Sequence, residues 1–76
     1  MLKRNDCDDI VYIGKSGTEY TLMSGTHPLD GKTYNITIIF KPGADYFWDI
    51  VDWFAGEVGD YSEDELCDII RHYTND

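Results

Sequence analysis

The stretch "ADYFWDIVDWFAG", residues 44–56, decides the fold, because five large aromatics and three aspartates crowd into residues 45–54. Its period sorts them. Phe47, Ile50, Val51 and Phe54 fall at i, i+3, i+4 and i+7, the spacing of a helix face turned to a core. Taking about 100° per residue, Asp45, Asp49 and Asp52 stand at about 0°, 40° and −20°, directly opposite that face. The expected element is a helix carrying a carboxylate ridge, flanked by Trp48 on one side and by Tyr46 and Trp53 on the other. Acidic residues in its first turn suit the positive end of the helix dipole, and Gly56 or Gly59 can close it with a left-handed cap.

Downstream, "SEDE" (62–65) announces a second helix: Ser62 as N-cap and Glu65 three residues later form a capping box. Leu66, Ile69, Ile70 and Tyr73 supply its apolar face. Upstream, "DIVYIG" (9–14) and "EYTLM" (19–23) are β-rich runs joined by "KSGT", whose Gly17 can adopt the positive φ of a tight turn. "SGTHPLDGK" (24–32) reads as a connection, since Pro28 and Asp30-Gly31 are turn formers. "TYNITIIF" (33–40) is the strongest strand. Its period of two puts Tyr34, Ile36, Ile38 and Phe40 on the expected core face, with Asn35, Thr37 and Ile39 opposite. The predicted architecture is one α+β domain over residues 1–76: a three-stranded antiparallel sheet followed by two helices (β-β-β-α-α) packed on one face.

Seventy-six residues allow one small core, and an apolar share of 42% with 14% aromatics argues for a packed fold over disorder. Apolar runs fall far short of the roughly 20 residues that cross a bilayer, and the N-terminus lacks the apolar segment of a signal peptide. A cytoplasmic location is the expectation. Cys7 and Cys67 are then expected as reduced thiols, although a bridge between them would close a long loop.

Catalytic and metal motifs fail on spacing. Cys67 and His72 lie five apart on the expected second helix and point in different directions. Cys7, His27, Cys67 and His72 lack the closely spaced pairs of a zinc site. "DYSEDE" (60–65) begins like a calcium loop, but Glu65 stands where glycine is needed and Arg71 where a bidentate glutamate belongs. "DCDD" (6–9) reads as a solvated turn, and the Asn35-Ile36-Thr37 glycosylation pattern as accidental within a strand. The expectation is a protein with no enzymatic activity, no cofactor and no metal.

The net charge of −9 is unevenly placed. Residues 1–43 balance Lys3, Arg4, Lys15, Lys32 and Lys41 against Asp6, Asp8, Asp9, Glu19 and Asp30, whereas residues 44–76 set Arg71 against ten acids. That field repels nucleic acid and anionic membrane and favours a basic protein surface. Along a helix, carboxylates four residues apart are separated by about 6 Å, close to the phosphate spacing of a nucleic-acid strand, so the row can occupy Arg and Lys sites built for phosphate. Glu57, Asp60, Glu63, Asp64 and Asp68 extend the row.

In size, charge and the carboxylate row of "ADYFWDIVDWFAGEVGDYSEDELCDII" (44–70), the chain resembles the small acidic phage-encoded anti-defence proteins that mimic nucleic acid, anti-CRISPR proteins among them. The resemblance implies a stoichiometric inhibitor acting in the host cytoplasm, which blocks the basic channel of a nucleic-acid-binding protein such as a CRISPR effector or other defence nuclease. The alternative is an antitoxin-like or regulatory interaction module that docks through Trp48, Trp53 and a sheet edge.

Overall fold

The structure, a computed structural model, describes residues 2–4, 9–44 and 47–76. Strands β1 (Leu2–Arg4), β2 (Ile10–Ile13), β3 (Glu19–Leu29), β4 (Lys32–Pro42) and β5 (Trp48–Ala55) form one antiparallel sheet in the order of the chain. A short 3-10 helix (Val58–Asp60) leads into helix α1 (Glu63–Thr74). The expected β-β-β-α-α domain is therefore corrected to an α+β domain of five strands and one α-helix among the described residues.

The sheet is organised by the β3–β4 hairpin. Asp30 and Gly31 take φ of 52° and 75°, the two positive values of a two-residue type I′ turn, so eleven-residue strands run out from it in register. The segment 24–32 is thus mostly strand rather than connection. Pro28 is tolerated there because β2 pairs only with residues 19–22 of β3, so that among the described residues no strand flanks Pro28 on that side. On the other flank it faces Thr33, one residue from the closing pair Leu29–Lys32 and hence a position that exchanges no ladder bonds.

The predicted first helix is instead the outer strand β5. Ile50, Val51, Trp48, Trp53 and Phe54 are β-branched or aromatic and favour a pleated strand, while aspartates are poor helix interiors. The helical period is produced by a bulge. Ile39 pairs with Asp52 but Phe40 pairs with Ile50, so Val51 is an extra residue that shifts the alternation by one. Of the four residues assigned to the helix core, Phe54 is buried and Val51 half-buried, but Phe47 and Ile50 are 73% and 64% exposed. Gly56, at φ 93°, ends a strand and not a helix.

Helix α1 forms as the sequence indicates. The Ser62 hydroxyl accepts from the Glu65 N–H at 3.2 Å, and the Ser62 N–H donates to the Glu65 carboxylate at 3.0 Å. Hydrogen bonding to the carboxylate from the Ser62 N–H, and secondarily from the Ser62 side chain, holds the Glu65 carboxyl below its ordinary value. Leu66 and Ile70 are buried and Ile69 half-buried, against a sheet face made by Tyr12, Tyr20, Leu22, Ile39 and Phe54. This reverses the assigned faces of β4: the helix covers the face of Thr37 and Ile39, both fully buried, and not that of Tyr34, Ile36, Ile38 and Phe40. Thr37 can sit inside because its hydroxyl donates to the Gly56 carbonyl at 2.9 Å.

After α1, Asp76 returns to the β2–β3 turn. Its carboxylate accepts from the Ser16 N–H (2.9 Å), the Ser16 hydroxyl (2.6 Å) and the Tyr20 hydroxyl (3.0 Å), while its carbonyl accepts from the Tyr12 hydroxyl and the Lys15 N–H. Gly14 leaves the room, since its missing Cβ would meet the Asp76 carboxylate. The Ser16 bonds hold the Asp76 carboxyl low, and burial followed by Asp76 itself pushes Tyr20 up. A carboxylate lowered on folding stabilises above the ordinary carboxylate range, about pH 4, and loses that contribution as the pH falls through its folded value. Asp76→Asn should therefore lower the urea midpoint most at neutral pH, with the gap to wild type closing below about pH 4. A gap that stays constant down the acid limb would rule out this linkage.

Candidate protein-docking face

One α-helix covers one face of the sheet, and the strand register fixes what remains on the other. Val11, Met23, Gly25, His27, Leu29, Tyr34, Ile36, Ile38, Phe40, Trp48, Ile50, Trp53 and Ala55 share that second face. Met23, Leu29, Tyr34, Trp48, Ile50 and Trp53 on it are all exposed, with Trp48 at 55% and Trp53 at 43%. Six large apolar side chains on one open face exceed the scattered singles of an ordinary soluble surface.

The centre of the face has local order. Trp53 sits opposite Ile38, which sits opposite Met23, and the Trp53 ring leans to within 5.0 Å of the His27 ring at 33°. Between those rows lie Gly25, Ile36 and Ala55, two small residues flanking a large one. The small neighbours leave space for the rings to lie over Ile36, which is only 6% exposed. Among the described residues, charge on this face lies at the margins: the Lys3–Glu19 pair (3.1 Å) at one end, and Asp30 with Lys32 at the hairpin tip.

The ten residues expected to bind a partner are split by this arrangement. Trp48 and Trp53 belong to the open face. Asp49 and Asp52 lie on β5, not on a helix: Asp49 is opposite Lys41 with its carboxylate against Gly43, and Asp52 is opposite Ile39 and accepts from the Trp53 N–H at 2.8 Å. Asp45, like Tyr46 and Cys7, lies outside the described residues. The helical ridge of Asp45, Asp49 and Asp52 is accordingly withdrawn. Glu57, Asp60, Glu63, Asp64 and Asp68 are exposed on the helix side, away from the open face. Asp60 caps the Glu57 N–H at 2.9 Å, and Asp68 pairs with Arg71 at 3.3 Å.

Met23, His27, Leu29, Tyr34, Ile38 and Ile50 belong to the face without having been singled out as binding residues. Their signal was present as a period of two, Met23-Gly25-His27-Leu29, hidden because Pro28 made that stretch read as a loop. Two shallow clefts flank α1. One of about 420 Å³ is lined by Leu2, Ile10, Val58, Tyr61 and Leu66, and one of about 470 Å³ by Phe54, Tyr61, Ile69 and Tyr73. The first cleft also takes in Lys3 and Glu63, and the second Asp68 and His72. Among the described residues no three His, Cys, Asp or Glu side chains converge to hold a metal ion, and no helix is long and apolar enough to cross a membrane. Cys67 is a half-buried free thiol on α1.

Compared with known families, curated proteins and solved structures, the chain matches none.

Adjacent residues on β5 separate the two faces experimentally. Phe54→Ala removes a 5%-exposed core ring and should cost about 3–5 kcal/mol in urea unfolding. Trp53→Ala removes a side chain already half in water and should cost about 1 kcal/mol. Equal costs would mean that the open face is a second core.

Proposed function

We propose that the chain is a non-catalytic protein-binding module that docks an apolar protein surface on the open face of its sheet. The observation that carries this reading is the row of Met23 and Trp53, both exposed, across half-buried Ile38, with exposed Leu29, Tyr34, Trp48 and Ile50 around it and charge, among the described residues, only at the ends of the face. Trp and Tyr are the residues most enriched at binding hot spots, and a charge-poor centre with a polar rim is the ordinary anatomy of a protein interface. Trp48, Trp53 and Ile50 ride on β5, the outermost strand, so a partner reaches them without displacing any described element.

A second reading is supported by a different surface. Asp64 and Asp68 stand one turn apart on α1, with Glu63 beside them and Glu57 before the 3-10 turn, and Arg71 is the sole cation of residues 44–76. That layer offers carboxylates at about 6 Å intervals to a basic groove, as an anti-CRISPR-like inhibitor of a nucleic-acid-binding protein would.

Site-specific photo-crosslinking in producing cells tests both readings. A photoreactive side chain at Trp53 or Trp48 should give a discrete crosslinked protein band that survives about 1 M salt, where exposed charges are screened beyond about 3 Å. Crosslinks from Asp64 alone, lost at that salt, would replace the first reading with the second. Crosslinks from neither position would remove both.

A further inference from the structure

We infer that the occupant of the open face is a second copy of this chain, packed sheet against sheet about a two-fold axis. The inference rests on reading that face as a docking surface, and it names the partner.

Charge gives the first argument. Two copies of a −9 chain repel over most orientations, and a homodimer must bring identical surfaces together. The exposed acids of α1 and of the 3-10 helix, with Asp49 and Asp52 on the helix side of β5, make the helix layer unsuitable for that purpose. The open face is different: from Met23 across Ile38 to Trp53, and along Ile36 and Phe40, it carries no acid or lysine among the described residues. Its charges lie at the edges, and Lys3 and Glu19 already neutralise each other. Face-to-face packing turns both acidic helices outward, to opposite sides of the pair.

Area gives the second. Strands β3 and β4 are eleven residues long and β5 eight. At about 3.3 Å per residue and about 4.8 Å between strands, their open face covers about 475 Å² per copy before side-chain relief is counted. Two such faces bury about 1,000 Å² or more, the threshold for a specific interface. Twisted sheets pack in this way at about 30° with their side chains interleaved, as in any β-sandwich.

Edge pairing is the competing way to join two copies, and β5 argues against it. Joining β5 to its own copy would bring Asp49 and Asp52 of each chain together, and the bulge at Val51 disturbs the ladder at mid-strand.

The experiment is sedimentation equilibrium of the full chain across about 5–200 µM, in about 0.15 M and about 1 M salt. The expected result is a species of twice the 8.8 kDa chain mass, at least as abundant at the higher salt because screening relieves repulsion while apolar burial persists. Ile50→Lys and Met23→Glu alter exposed side chains at separate places on the face; each variant should sediment as a monomer with an unchanged circular dichroism spectrum. A monomer at every concentration would overturn the inference, and so would a dimer that both folded variants retain. The docking reading fails separately: a wild-type monomer whose Trp53 position still crosslinks to a protein of another mass keeps the docking face and removes the second copy. A self-crosslink from Trp53 at the mass of the pair supports both.

Discussion

A single twelve-residue helix, about 18 Å long, cannot cover both faces of a five-stranded sheet, yet both faces of this sheet are apolar. The covered face takes its shape from Ile39 and Ile70, fully buried against each other's neighbours, and from Phe54, Leu22 and Leu66 around them. The uncovered one keeps Trp53, Ile50 and Tyr34 in water at a standing cost in free energy. Small domains have little stability to spare, so exposed area on this scale points to a role outside the fold.

The same constraint explains which parts of the architecture were legible in the sequence. Helix α1 was readable because Ser62 and Glu65 specify its start by local hydrogen bonds and because Leu66, Ile69 and Ile70 have one face to satisfy. The strand around Ile36–Phe40 was equally plain. Its orientation was not, because Thr37 and Ile39 look less apolar than Ile36, Ile38 and Phe40, and only the Thr37 bond to Gly56 makes the polar face the inner one. Periodicity misreads β5 for a related reason: a strand apolar on both faces has no clean alternation, and one bulged residue converts what is left into helical spacing.

The candidate site was therefore half legible. Trp48 and Trp53 stood out by residue type, which survives an error in secondary structure. The aspartate ridge depended on helical geometry and dissolved with the helix: Asp49 and Asp52 belong to a strand, where the bulge at Val51 leaves both on the α1 side of the sheet. His27 and Met23 gain their place only from the register of β3 on β4. Along β5 the interleaved residues are sorted between two faces, Trp48 and Trp53 on the open one and Asp49 and Asp52 on the α1 side.

The chain-order sheet also shapes how the protein comes to be folded. Every strand pairs with the one made just before it, so each ladder can zip locally from its own turn, which shortens the search that slows most β proteins. During synthesis β1 to β5 emerge before α1, and until residues 63–74 follow, the face of the nascent sheet that α1 comes to cover is exposed. Its final strand carries Asp49 and Asp52 into that interval, and the charges guard the growing edge against sticking to other chains.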